Sequence, residues 1–396
     1  MTALLIKGGR IVDPANSLDA PRDLRLRDGA VSEIAQRLEA QSGEAVIDAA
    51  GAIVAPGFVD MHVHLREPGL SHKERIETGT EAALRGGFTS VACMPNTNPP
   101  IDDTAVLRSL MDELGRRARC RVYPIAAITR GRRGSTPCDF AALAEAGAVG
   151  FSDDGDTVED ARVLREAASL AAGLAAPFIS HCEPEDETVA RDLAIAGDTA
   201  KSWHIAHVTT RVALDSIRVA RSRGVRATCE VTPHHLNCTA AAARDLGAAA
   251  RVNPPLRDAR DVEALRAAVR DGTVDAFASD HAPHTEREKR EGAPGFTGLE
   301  IAAGAYAAAL PDLPMTRFVE LIATNPARIL SLPAGTLSIG APADVTIFAD
   351  RSWIVEPTSF ASLGKCTPFA GATLPRKVLA TIVGGDLRYR ATDLDE

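Results

Sequence analysis

The stretch Gly57-Phe58-Val59-Asp60-Met61-His62-Val63-His64-Leu65-Arg66-Glu67-Pro68-Gly69 decides how the rest of the chain is read. Phe58, Val59, Met61 and Val63 are apolar enough for a buried strand, and Asp60, His62 and His64 interrupt them at every second position. Side chains at i and i+2 of a strand share one face. His62 and His64 are therefore expected to project together, where one cation meets both imidazoles. Arg66 follows two positions on, where the strand should give way to a loop. A pair of imidazoles with a guanidinium beside them suits a metal site that handles an acidic substrate. An isolated HxH reads first as two hydrogen-bonded core histidines, and it is the rest of the chain that reverses this.

Downstream of Gly57, apolar runs alternate with helical patterns. Candidate strands are Gly57–His62, Thr89–Met94, Arg121–Ile128, Val149–Asp153, Pro177–His181, Trp203–Val208, Val225–Val231 and Val274–Asp280. Helical stretches fall between them, among them Glu74–Arg85, Ala105–Arg117, Glu159–Ala172, Val212–Arg223 and Ala259–Arg270. This alternation predicts an α/β chain with a (β/α)8 TIM-type barrel over residues 57–334. A doubly wound open sheet is the alternative, but no GxGxxG follows the first strand. Residues 1–56 and 335–396 have another texture, short alternating strands around Gly-Gly and Asp-Gly turns. They are expected to join into one small β domain.

The polar residues gather at the downstream ends of the strands. His62, His64 and Arg66 follow the first, and Asn96 in MPNTNP the second. Asp153 and Asp154 follow the fourth, His181 the fifth, and His204 and His207 the sixth. His234 and His235 follow the seventh, and Asp280, His281 and His284 the eighth. Of ten histidines only His72 falls elsewhere, just behind the first strand. Barrel active sites lie at these C-terminal ends, which turns the HxH into a metal-site candidate.

Composition narrows the function classes. With 396 residues, 45% of them hydrophobic and only 4% aromatic, the chain suits one large barrel with an appendage. The net charge of −9 and the absence of a basic stripe argue against nucleic acid as a partner. RGRRG at residues 130–134 reads as a short exposed loop. The N-terminus does not resemble a signal or transit peptide, and no apolar run is long enough to span a membrane. Seven scattered cysteines without a CxxC fit a reduced, cytoplasmic setting. Cys182 is read as a packed thiol.

Histidine and carboxylate donors suit zinc or a similar divalent cation. His62, His64, Asp153, His181, His207 and Asp280 are too many for one tetrahedral site. Two cations about 3.5–4 Å apart, with Asp153 shared between them, would accommodate the set. Such cations would polarise the attacking water and a substrate carbonyl. Asp280 is the candidate proton carrier between that water and a leaving nitrogen. Asp154 is read as a turn cap, and His204, His234 and His235 as hydrogen-bonded scaffold. His281 is expected to orient Asp280, and Glu183 to be surface or support.

GFVDMHVHLREPG, CMPNTNP, GFSDDG, SHCE, EVTPHHL, NPPLR and ASDHAPHT, in this order, resemble the dihydroorotases of the amidohydrolase superfamily. The resemblance extends over nearly the whole chain, through NPARILSL to GAPADVTIF and TPFAG. It implies reversible hydrolysis of the cyclic amide of (S)-dihydroorotate to N-carbamoyl-L-aspartate in pyrimidine synthesis, with one or two Zn2+ per subunit. It implies that His62, His64 and Asp280 hold one metal, that His181 and His207 hold the second, and that Asp153 bridges them. Arg66, Asn96 and His284 match residues that hold the substrate carboxylate. Asn253 matches a residue near the pyrimidine ring, and Gly295 a backbone contact to it. A homodimer is expected, and the short link after the fifth strand motivates an alternative in which the chain is a weakly active partner of aspartate transcarbamoylase.

The chain departs from the family pattern in two places. Many relatives bridge the metals with a carboxylated lysine, where this chain has an aspartate. That moves it away from hydantoinases and allantoinases, which are the alternative ring openers. The link Cys182–Ser202 is also shorter than is usual in the family, yet it leaves room for one crossover helix of about a dozen residues.

Overall fold

The computed structural model describes residues 3–392. Its centre is a ring of parallel strands. Phe58–Val63, Phe88–Cys93 and Arg121–Pro124 pair side by side, as do Phe178–Ser180, Trp203–Ile205, Ala227–Val231 and Ala276–Phe277. Single parallel bridges connect these two sheets. Phe151 pairs with Ala126 on one side and Phe178 on the other, and His281 pairs back to Val63. The fourth strand, expected over Val149–Asp153, is thereby reduced to one bridged residue. The arrangement is a (β/α)8 barrel, with helices such as Ile76–Arg85, Thr104–Arg117, Ala161–Leu170, Arg211–Ser222 and Ala259–Asp271 between strands.

Local sequence explains these helices. Asp103, Asp160, Thr210 and Asp258 each accept a backbone N–H in the first turn, satisfying donors that the helix leaves free. Their apolar faces, such as Leu107, Leu110 and Leu114, pack onto the strands in one continuous core. A second cluster takes Met61, Met94, Ile125, Ile179, Ala206 and Ala278 from different strands and fills the inside of the ring. The short link after the fifth strand holds one helix, Glu185–Thr199, and the strand order survives.

Strands from both ends of the chain build the small β domain. In its six-stranded sheet, Ile53–Pro56 lies between Val345–Ala349 and Arg10–Asp13. A four-stranded sheet of Ala3–Lys7, Asp23–Arg27, Ala30–Ala35 and Ala45–Asp48 packs with it. Arg121 reaches from the barrel to Asp344 in a bidentate ion pair, Nε to Oδ2 at 2.7 Å. No helix among the described residues is long and apolar enough to cross a membrane.

Candidate active site

The first strand departs from simple alternation just where it matters. Asp60 pairs with Val91 but Val63 pairs with Cys93, so the strand carries one extra residue there. Such a bulge re-aims side chains. The rings of His62 and His64 lie 5.4 Å apart. Asp60, fully buried, accepts the backbone N–H groups of His62 and Ser279 and so fixes the first strand to the segment carrying Asp280. Burial pushes its carboxyl up to about 7.

Asp154, read from the sequence as a turn cap, sits amid the histidines. Its Oδ1 is 3.3 Å from His62 Nε2, 3.5 Å from His207 Nε2 and 3.7 Å from His181 Nδ1. Its Oδ2 is 3.5 Å from His64 Nε2. Asp153 is not brought into this cluster. Its Oδ1 accepts the backbone N–H of Ile128 at 2.8 Å and of Thr129 at 3.0 Å, and its Oδ2 takes the Thr129 hydroxyl. The physical reason is competition: the loop after the third strand engages both carboxylate oxygens of Asp153. Asp154 is free to turn because its backbone is held instead. Arg132 Nη2 donates to its carbonyl at 2.6 Å, and Asn96 Nδ2 at 3.3 Å. The RGRRG loop is thus exposed at Arg130 and Arg133 but reaches the site through Arg132.

Asp280 completes the group, with Oδ1 3.2 Å from His64 Nε2 and 3.6 Å from His62 Nε2. His62, His64 and Asp280 form one cluster able to hold a cation, and His62, Asp154 and His207 form another. His181 Nδ1 lies 3.0 Å from His207 Nε2. His62 Nε2 and Asp154 Oδ1 are buried yet have no hydrogen-bond partner. Orphaned, facing imidazole and carboxylate atoms of this kind fit a divalent metal. Burial would raise Asp154, but His62, His181 and His207 outweigh it and hold the carboxyl well below its usual range. Asp280 is likewise lowered against burial, by His64, His62 and His207.

Glu230 was not singled out in the sequence. Fully buried at the end of the seventh strand, it takes His62 Nδ1 at 2.7 Å and His204 Nε2 at 3.2 Å. Burial opposes its charge, but His62 and His204 hold it ionised at about 2. Its signal was a lone acid inside an apolar strand, Ala227–Val231. His64 is oriented in the same way by Asn96 Oδ1, 2.8 Å from Nδ1. His281 turns away from Asp280: its Nε2 faces Glu74 at 3.4 Å and its Nδ1 accepts the N–H of Gly298. His234 and His235 are buried on Thr232, and His235 also on the Pro254 carbonyl.

These groups open onto a cavity of about 170 Å³ lined by Arg66, Asn96, Asn253, His284 and Gly295 as well as Asp154, His181, His207 and Asp280. Arg66 Nε donates to the Pro283 carbonyl at 3.2 Å. His284 Nε2 is 2.8 Å from the Pro294 carbonyl and 3.1 Å from Arg66 Nη2. A ring nitrogen that donates to a carbonyl has no lone pair for a guanidinium, so the Arg66 fork keeps donors for another acceptor. Burial, then Arg66 and Lys73, lower His284 to about 3, and burial lowers Arg66 to about 10. Asn253 Nδ2 lies 3.1 Å from His181 Nε2. Arg66, His207 and Asp280 all hold positive φ, at 64°, 31° and 49°. Non-glycine residues adopt that region at a cost and cluster at functional sites when they do.

The amidohydrolase family model matches residues 53–388. The dihydroorotase of Pelotomaculum thermopropionicum is 44% identical over 418 aligned positions, covering 96% of this chain and 97% of that protein. The dihydroorotase of Aquifex aeolicus is 40% identical, covering 98% and 100%. Both alignments exceed the 396 residues of the chain, so those relatives carry residues that it lacks. Among solved structures, the L-hydantoinase from Arthrobacter aurescens superposes with a TM-score of 0.90 at 24% identity, covering 98% of this chain and 96% of that one. That likeness concerns the fold.

Proposed function

This chain belongs to the amidohydrolase family, among its dihydroorotases, and from that premise we propose that it interconverts (S)-dihydroorotate plus water and N-carbamoyl-L-aspartate. The observation that carries the reading is one cavity holding both the Arg66 guanidinium and the His/Asp cluster around Asp154 and Asp280. A substrate with a carboxylate and a cyclic amide uses both ends.

In this reading His62, His64 and Asp280, together with Asp154, His181 and His207, would hold the divalent metal. When bound, zinc would polarise the reacting water and the amide carbonyl. The chain's own residues do the rest. Arg66, with Asn96 and His284 beside it, fixes the substrate carboxylate. A guanidinium matches a carboxylate with two parallel N–H···O bonds, which sets orientation as well as affinity. Asn253 and the backbone of Gly295 face the ring. Asp280 Oδ takes the proton from the attacking water and delivers it to the ring nitrogen as the C–N bond breaks. Ring closure runs these steps in reverse. Glu230, on His62 Nδ1, would orient that ring so that Nε2 is presented to the metal.

Hydantoin and allantoin, the alternative substrates, have no carboxylate for Arg66. The test is dihydroorotate hydrolysis by the zinc-repleted protein, with and without a chelator. Turnover that the chelator abolishes and zinc restores supports the reading. Faster turnover of hydantoin or allantoin, or none of dihydroorotate, overturns it.

A further inference from the structure

Lys289 lies in the short helix Glu286–Glu291 and is only 3% exposed, with no carboxylate among the described residues paired to its ammonium. A buried ammonium is tolerated only when its donors are used. Here Nζ donates to three backbone carbonyls: Arg251 at 3.0 Å, Ala293 at 2.9 Å and Gly295 at 2.5 Å. Arg251 belongs to the loop after the seventh barrel strand, Ala293 and Gly295 to the loop after the eighth. The two loops also meet directly, through Gly295 N–H to the Arg251 carbonyl at 2.9 Å. Each contributes to the cavity wall, Asn253 from the first and Pro294 and Gly295 from the second.

The position of Gly295 is tightly bounded. Its φ is 119°, and a Cβ there would stand 2.7 Å from the Cβ and carbonyl oxygen of Ala282, which also lines the cavity. Lys289 pulls on this backbone from behind while Ala282 limits it in front. Asn253, two residues beyond the anchored Arg251, reaches His181 at 3.1 Å.

We propose that Lys289 is a positioning residue, an ammonium pin that holds the 251–254 and 293–296 loops at the separation the cyclic substrate requires. It touches no reacting atom and acts through Asn253 and Gly295. The inference rests on the proposed ring-opening function, because it assigns these two loops to the ring.

Lys289→Met removes the donors at similar length, and Lys201→Met serves as the control. Lys201 is also buried, with Nζ on the Leu174 and Ala176 carbonyls at 2.7 and 2.6 Å, but it precedes its strand and lies at the opposite end of the barrel. Both variants should lose thermal stability. Only Lys289→Met should raise KM for dihydroorotate, by about tenfold, with kcat within about threefold and metal content unchanged, as expected when binding common to ground and transition states is lost. Lys289→Gln, which keeps two N–H donors, should lie between. Hydrogen–deuterium exchange should rise in segments 251–254 and 293–296 of the Lys289 variants and not in Lys201→Met. KM within twofold of the native value in a folded Lys289 variant, or unchanged exchange in those segments, overturns the proposal. Failure of the native chain to turn over dihydroorotate would instead count against the functional reading, and the exchange experiment still decides whether Lys289 pins the loops.

Discussion

Glu230 Oε1 lies 2.7 Å from His62 Nδ1, and both side chains are fully buried. With a metal bound, this contact would keep the His62 proton on Nδ1 and leave Nε2, which lies 3.3 Å from Asp154, to ligate. A carboxylate behind a ligating imidazole raises its basicity and typically changes metal affinity by about 10–100-fold. Glu230→Gln keeps an acceptor but loses the charge. It should weaken metal retention by about that factor while the fold persists, read by chelator competition on the purified protein. Native-like metal affinity would remove Glu230 from the site.

Asp153 and Asp154 separate by experiment. Asp154→Asn should lower turnover by at least about 100-fold, the scale of losing a charged group at a reacting centre, and should weaken metal binding. Asp153→Asn keeps the acceptor for the Ile128 and Thr129 amides and should cost about 1 kcal/mol of stability with turnover near native. Elemental analysis and steady-state rates on both variants decide, and the opposite ranking would return the bridge to Asp153.

Asp280→Asn tests the proton carrier. General acid–base catalysis is worth about 10²–10⁴-fold, so kcat should fall by that much in protein that still binds metal. Near-native turnover in metal-replete Asp280→Asn would exclude Asp280 from proton transfer.

Arg66→Lys keeps the charge and loses the fork. A point ammonium cannot replace bidentate carboxylate recognition, so KM for dihydroorotate should rise about tenfold or more. Unchanged KM would place the substrate carboxylate elsewhere.

Glu300 gives a pH dependence independent of the metal cluster. Burial raises its carboxyl from 4.5 to about 7, although it accepts the amides of Ala361 and Ser362. Between those values the folded chain holds a proton that the unfolded chain has released, so its effect on stability worsens as pH rises through that window. Glu300→Gln retains the acceptor without the charge. Relative to native, it should gain stability progressively from pH 4.5 to about 7, up to about 2–3 kcal/mol. Denaturant unfolding of both proteins across that range measures the difference, and a pH-independent difference would refute the assignment.

The sequence by itself determined the barrel and the place of its site. Period-two and helical patterns are local properties, and histidines at strand ends in HxH, SHCE and SDHAPH stay at strand ends however the loops pack. Arg66 and its expected neighbours His284 and Asn96 likewise converge on one cavity. What only tertiary structure decided is which side chain turns inward where a strand ends. The fourth strand is held by a single bridged residue, Phe151, so alternation no longer dictates the directions of Asp153 and Asp154. The amides of Ile128 and Thr129 draw Asp153 outward, and Arg132 and Asn96 hold the backbone that sends Asp154 in. Glu230 and Lys289 were hidden for the same reason. Their partners are 168 and as many as 38 residues away in the chain, and a buried charge is understood only through the groups that surround it.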